Sequence, residues 1–277
     1  MVSPWKKIKK SDTFEVYWVE FEVIDYTKKG RLIKVQKDIN LLDFLEKNWE
    51  MPLPPYVEYS KEKEKYYQSI FAKNTGSIAA PTASLHFTDR VLEKLKQKSI
   101  WFNYVTLHVW LWTFAKVDTE DIKKYDIHKE KVVLDLDIFD KIANFKKDAN
   151  DIVWVGTTVT RTLESLPYLY SLLKDKIDVE NAFFEKIVSN WLTDKNYIHN
   201  LEVKQNKIHF ETKLFIYPGF EFNIIDKLIT NFHLPKSSLL MLVAAWIWYD
   251  KLWEVYDHAI KSNYRFYSFG DACFLEQ

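Results

Sequence analysis

The stretch Ile152-Val-Trp-Val-Gly-Thr-Thr-Val-Thr-Arg-Thr-Leu-Glu-Ser165 is the most informative local unit of this chain. Its short apolar run reads as a buried strand, Ile152 to Val155. Gly156-Thr157-Thr158 is a small-residue turn, and a helix is expected from about Arg161 to Lys174. Such a unit aims the free backbone N–H groups of a helix N-terminus past the end of a strand. Those donors, with two hydroxyls, suit a carboxylate or phosphate. Arg161 is expected to add a charge-assisted contact to the same anion. A capped helix with Arg161 on its surface is the plainer reading of the same pattern.

Working outward, helical and strand-like segments alternate. Phe102 to Val109 and Lys131 to Leu136 read as strands, and Leu201 to Tyr217 is β-rich with a turn at Gln205-Asn206. Helices are expected near 237–246, capped by Ser237, and near 250–261, with Arg265 to Phe269 closing as a strand. Val91, Leu92 and Leu95 share a helix face behind Thr88 or Asp89. The alternation argues an α/β domain with a buried sheet. Before it, residues 13–24 and Arg31 to Lys37 read as a hairpin turning at Lys28-Lys29-Gly30. A short apolar helix, Leu41 to Leu45, follows. Met51-Pro-Leu-Pro-Pro-Tyr56 can be neither helix nor central strand, so a domain boundary is expected near residues 46–50.

Thirty-nine basic and 39 acidic side chains cancel, so a nucleic-acid partner has to be met by a local patch rather than a global field. A single cysteine, Cys273, excludes an internal disulfide framework and suits a cytoplasmic location. The charged start, Lys6 to Lys10, does not read as a signal peptide, and the run Leu239 to Tyr249 is too short to span a membrane. The chain has five glycines and 11 tryptophans in 277 residues, against a usual glycine share of about 7%.

Three histidines stand in apolar surroundings on separate segments: His86 after a Pro-broken loop, His108 inside a strand, and His233 in Thr230-Asn-Phe-His-Leu-Pro235. Each alone is more often a satisfied core residue than a catalyst; together, at strand ends, they suggest a shared cleft. No His-x-x-x-His or Cys-x-x-Cys pair supports a metal site, and Asp135-Leu136-Asp137 reads equally as a strand end or helix cap. No Gly-x-Ser-x-Gly elbow marks a serine nucleophile.

An ordered set of segments resembles one family along nearly the whole chain. They are Met51–Tyr56, Tyr67–Lys73, Gly76–Phe87, Val105–Val109, Asp126–Glu130, Val155–Ser165, Phe215–Gly219, Thr230–Val243 and Tyr264–Ala272. The family is that of the S-adenosylmethionine:tRNA ribosyltransferase-isomerases of queuosine biosynthesis. The resemblance implies an enzyme that uses S-adenosylmethionine as a ribosyl donor. The ribosyl moiety is transferred and isomerised onto 7-aminomethyl-7-deazaguanine at the tRNA wobble position, giving epoxyqueuosine with release of adenine and methionine. It also implies a cytoplasmic monomer without a metal. The implied fold is a large, barrel-like α/β domain with a small β-barrel domain inserted into it, here only partly present. Residues 1–46 match the C-terminal part of the small barrel and 47–277 the main catalytic domain.

Chemistry of this kind needs a base for the attacking amine, an acid for the leaving purine and a base for the proton beside sulfur. His86, His108, His233 and Glu164 are the candidate catalytic residues, with Glu130 next. Thr113, Phe114, Gly156, Thr157, Thr158, Arg161, Asn231 and Ser238 are the candidate substrate contacts.

Two departures from the family pattern stand out. Family members begin well before the point matching Met1. The family's Val-Thr-Leu-His-Val-Gly-x-Gly-Thr-Phe reads here with Trp110 and Trp112 at its glycines. Trp5, Trp49 and Trp248 also fall at family glycines, as do Trp101 and Trp154 on a looser match. One residue replacing one other so often points to UGA codons that are decoded as glycine but written as tryptophan. The alternative is a non-catalytic remnant that still binds tRNA.

Overall fold

The computed structural model describes residues 8–27, 30–36, 38–48, 53–54, 56–109, 117, 119–176, 181–191 and 197–277, which form two units, residues 1–52 and 53–277. In the first unit β1 (Thr13–Val16), β2 (Val19–Thr27) and β3 (Gly30–Val35) make an antiparallel meander, followed by helix α1 (Leu41–Asn48). The single strand expected over 13–24 is thus two. The chain reverses at Tyr17-Trp18, where Tyr17 takes φ 57° and Val16 pairs with Val19. Alternation along β2 sends Val19 and Phe21 to one face, where Phe44 of α1 covers them.

The second unit holds two sheets. One is antiparallel, in the order β4 (Thr106–His108), β5 (Glu130–Asp135), β8 (Lys207–Thr212), β7 (Ile198–Lys204). The other runs β10 (Ala272–Glu276), β9 (Lys227–Asn231), β6 (Val153–Val155), with β6 and β9 parallel. The helices are α2 (Lys61–Tyr66), α3 (Asp89–Gln97), α4 (Ile138–Lys147), α5 (Thr157–Glu164), α6 (Leu166–Leu173), α7 (Ala182–Trp191), α8 (Ser238–Ile247) and α9 (Tyr249–Lys261).

Strict alternation along β5 buries Glu130, Val132 and Leu134 on one face. Val132 and Leu134 join Ile208 and Phe210 of β8, Phe139 of α4, Leu169 and Tyr170 of α6, and Phe184 of α7 in one core. Each such side chain contributes roughly 1.5–3 kcal/mol on burial. A second core gathers Leu228 of β9, Cys273 and Leu275 of β10, Leu242 and Trp246 of α8, and Leu252 of α9.

Several sequence expectations change. The helix expected over 161–174 begins at Thr157 and divides at Ser165, because Pro167 in the first turn of α6 interrupts the backbone ladder. The strand expected over 102–109 shortens to β4. Arg265 to Phe269 is not a strand, because Tyr267 takes φ 70° in a tight loop, and the closing strand is β10.

Turns are made largely without glycine: eleven described non-glycine residues have positive φ. Gln205 and Asn206, at 51° and 60°, form the two-residue turn between β7 and β8. Trp248 is the exceptional case. It joins α8 to α9 at φ 64° and ψ 158°, a region that is essentially glycine's alone, and its side chain is 68% exposed.

Candidate functional site

Parallel strands β6 and β9 end on the same edge, where open α/β sheets present their ligand-binding loops. From β6 the chain passes through Gly156, whose φ of 98° suits glycine and whose N–H donates to the Ile229 carbonyl at 2.8 Å. From β9 it passes through Asn231 to His233. The sequence thus delivers two of its candidate segments to one place by strand pairing alone.

A third segment, residues 76–86, straps across this edge. Gly76 lies against the His108 imidazole of β4, so close that a Cβ there would sit 2.8 Å from Nδ1. The N–H groups of Ile78 and Ala79 donate to the Val109 carbonyl. Thr82–His86 is a single 3₁₀ turn. Within it Ala83 packs on Gly156, and the Thr82 hydroxyl donates to Asn231 Oδ1 at 3.4 Å. The His86 Nε2 atom lies 3.1 Å from Asn231 Nδ2. Burial lowers the His86 pKa, against the pull of nearby Asp271.

His233 is almost fully enclosed. Its Nε2 pairs with the Thr230 hydroxyl at 2.8 Å, and its backbone N–H donates to the Tyr256 hydroxyl at 2.7 Å. Burial drives its pKa down to about 4, so the ring is neutral at physiological pH. Beyond it, Ser237 caps α8 by accepting the Leu240 N–H at 3.2 Å. Ser238 is buried in the first turn of that helix.

The loop Arg265–Asp271 closes the other wall. Arg265 and Asp271 are joined by side-chain bonds of 3.3 and 2.7 Å; the Arg265 N–H also donates to the Asp271 carboxylate, and the Asp271 N–H to the Arg265 carbonyl. Gly270 is pressed against the loop's own start: a Cβ there would lie 2.5 Å from the Arg265 carbonyl oxygen. Tyr267 donates its N–H to the Phe232 carbonyl at 2.9 Å. Ser268 shares a 2.5 Å hydrogen bond with the Tyr56 hydroxyl. Between these walls lies a narrow cleft lined by Tyr56, Thr82, Asn231, His233, Tyr267 and Ser268.

Arg161 is not open at the helix N-terminus. It is 3% exposed and donates to the carbonyls of Leu214 at 2.9 Å and His128 at 3.2 Å. Its guanidinium also lies 3.2 Å from the equally buried Glu130 carboxylate. Thr158 and His128 contact the other Glu130 oxygen at 3.4 and 3.3 Å. Burial works to raise the Glu130 carboxyl, but Arg161 and His128 overcome it and hold it below the usual range. This cluster therefore supplies its own anion beneath α5. Glu164 is likewise occupied: its carboxylate accepts the N–H groups of Asn223, Ile224 and Ile225 at 2.9–3.0 Å. Burial pushes it up to about 7 against the pull of those three donors.

The structure thus brings His86, His233, Asn231 and Gly156 around one strand edge, and sets Glu164 and Arg161 into internal ties. Thr113, Phe114, Trp110 and Trp112 lie outside the described residues. Among the described residues no group of three or more His, Cys, Asp or Glu side chains is arranged to hold a metal. Sequence reasoning did not single out Tyr56, Thr82, Tyr267 or Ser268 as site residues, though all four fall within segments that carry the family resemblance.

Hydroxyls, a carboxamide and neutral imidazoles converge at these strand ends, a lining of the kind that suits a polar organic ligand. The chain belongs to the queuosine biosynthesis protein family, whose model matches residues 1–275. The S-adenosylmethionine:tRNA ribosyltransferase-isomerase of Finegoldia magna is 38% identical over 277 residues, covering 99% of this chain and 71% of that protein. Its counterpart in Halothermothrix orenii is 39% identical over 278 residues, covering 99% and 72%. A crystal structure of the S-adenosylmethionine tRNA ribosyltransferase from Thermotoga maritima aligns with a TM-score of 0.47 and 30% identity, covering 98% of this chain and 67% of that one.

Proposed function

We propose that this chain is an S-adenosylmethionine:tRNA ribosyltransferase-isomerase. It transfers and isomerises the ribosyl moiety of S-adenosylmethionine onto 7-aminomethyl-7-deazaguanine at the wobble position of tRNA. The products are epoxyqueuosine in the tRNA, adenine and methionine. The observation that carries this reading is the family match over residues 1–275, supported by relatives of that name at 38–39% identity.

The cleft beside β9 is the substrate site on this reading. His86 and His233, the catalytic candidates here, are neutral imidazoles beside it that offer hydrogen bonds to the reacting groups. Tyr56, Thr82 and Ser268 offer hydroxyls to ribose or base. On this reading Gly156, Thr157, Thr158 and Ser238, at the starts of α5 and α8, are further substrate contacts, supported by the pairing of β6 with β9 that brings Gly156 near Asn231. Thr113 and Phe114 complete the substrate contacts. His108, held against Gly76, is the third histidine of the set. Glu164 and Arg161 serve by fixing the loop 223–225 and the start of α5.

The protein works as a cytoplasmic monomer, with residues 1–46 belonging to a small β-barrel domain and 47–277 to a barrel-like catalytic domain. The test is adenine release from S-adenosylmethionine in the presence of tRNA with and without 7-aminomethyl-7-deazaguanine. Release that depends on the modified base is the expected result. Salt-sensitive tRNA retention with no adenine release would instead favour a non-catalytic tRNA-binding protein.

A further inference from the structure

The Asn231 side chain makes three contacts that together fix its orientation. Its Nδ2 lies 3.0 Å from the Tyr267 carbonyl oxygen, which can only accept a hydrogen bond. The atom facing it must therefore be the amide nitrogen. Rotating the carboxamide by half a turn would set two oxygens against each other. Oδ1 is then left to accept from the Thr82 hydroxyl. The second N–H of the same Nδ2 faces His86 Nε2 at 3.1 Å, so Nε2 must be the acceptor. The proton of the neutral ring consequently sits on Nδ1, and Nδ1 has no partner among the described residues.

From this geometry we infer that Asn231 is a positioning residue: it locks His86 in the Nδ1-protonated tautomer and occupies the Nε2 lone pair, making His86 a donor through Nδ1 rather than a base. The inference rests on the proposed reaction for the donor's use, not for the tautomer itself. In that reaction the group that gains from a donor is the departing adenine, whose ring nitrogen takes a proton as the glycosidic bond breaks. The His86 Nδ1–H donates a hydrogen bond to that nitrogen and steadies the charge it gains; the proton itself comes from solvent, and the ring stays neutral.

The arrangement is rigid for identifiable reasons. Asn231 is 2% exposed at the end of β9. Tyr267 is held by its own N–H bond to Phe232 and by the Arg265–Asp271 clasp. Those two clasped residues are the charged groups that act on His86, and they are paired with each other. Replacing the amide by a carboxylate turns the atom facing Nε2 into an acceptor, at the expense of the bond to the Tyr267 carbonyl. An Asp at 231 can only accept from Nε2, which moves the ring proton to Nε2, exposes a lone pair at Nδ1 and favours the imidazolium.

The experiment has two readouts. Nitrogen-15 spectra of histidine-labelled protein, with His86 assigned by loss of its signals in His86→Gln, report the tautomer without any substrate. Nδ1 protonated and Nε2 bare is expected in the unsubstituted protein, and the reverse in Asn231→Asp. The opposite tautomer in the unsubstituted protein would overturn the inference. In the adenine-release assay, Asn231→Asp is expected to lower kcat at least tenfold with KM little changed. Its histidine-dependent limb of the pH–rate profile should also move up by a unit or more. A raised KM with unchanged kcat and pH profile would make Asn231 a substrate contact instead. Absence of any modified-base-dependent release would overturn the reaction reading, while the spectra still decide the tautomer.

Discussion

The Arg161 guanidinium stands 3.2 Å from the Glu130 carboxylate, with both side chains 3% exposed or less. Period-two alternation along β5 points Glu130 inward with Val132 and Leu134, and Arg161 comes from the buried face of α5 to meet it. Removing one partner of such a pair leaves an uncompensated charge in the interior. Arg161→Met is expected to destabilise the protein by about 3–5 kcal/mol. Glu130→Gln with Arg161→Met should recover most of that loss. Denaturant midpoints of the unsubstituted protein and the two variants check this, and full stability in Arg161→Met alone would refute the tie.

His233 gives a signed pH dependence. Its folded pKa, about 4, lies below the unfolded value, so below about pH 6.5 the unfolded chain takes up a proton that the folded chain refuses. The His233 contribution is complete above that pH and is lost as pH falls toward 4, amounting to about 3 kcal/mol. Glu164, raised to about 7, works in the opposite sense, its contribution being lost as pH rises through that value. The His233 term is therefore read as the difference between the unsubstituted protein and His233→Gln in denaturation series from pH 7.5 to 4. A pH-independent difference would show that the ring is not held neutral.

Trp248 occupies backbone space that costs a non-glycine residue about 1–3 kcal/mol. Trp248→Gly is expected to raise the melting temperature by several degrees. If the codon for 248 is a UGA decoded as glycine, the native peptide spanning 247–251 will carry glycine there, and mass spectrometry of protein from source cells decides it. The same spectrum read over His108 to Phe114 tests positions 110 and 112.

Gly270→Ala introduces a methyl group into contact with backbone on two sides, at 2.5 Å from both the Arg265 carbonyl oxygen and the Phe266 carbonyl carbon. Neither atom is the movable end of a side chain, so the loop 265–271 must shift. Adenine release is expected to fall at least tenfold while the melting temperature moves by only a few degrees. Undiminished activity would separate this loop from the site.

Legibility in the sequence followed the range of the interactions involved. The turn at Gln205-Asn206, the Ser237 cap and the helices α8 and α9 are set by neighbours in the chain, and local pattern located each of them. Strand β9 was not marked as a strand, because Lys-Leu-Ile-Thr-Asn becomes one by pairing with β6 more than 70 residues earlier. Arg265 to Phe269 carried a strand-like pattern, yet contacts with Phe232 and Asn231 bend it into a loop. His86 and His233 were visible as polar rings in apolar loops. The burial of Arg161 was not, since its partners Glu130, His128 and Leu214 come from distant segments.

The two sheets of the larger unit are interleaved along the chain. Strands β4 and β5 belong to one sheet, β6 to the other, β7 and β8 to the first again, and β9 and β10 to the second. Neither sheet can be finished before the polypeptide has made strands for both. Closing β5 onto β8 encloses β6, and closing β6 onto β9 encloses β7 and β8. Each closure carries a loop-entropy cost that the other helps to offset. The unit is therefore expected to fold slowly and in a single cooperative step, and one protease nick between residues 156 and 197 would sever both sheets at once.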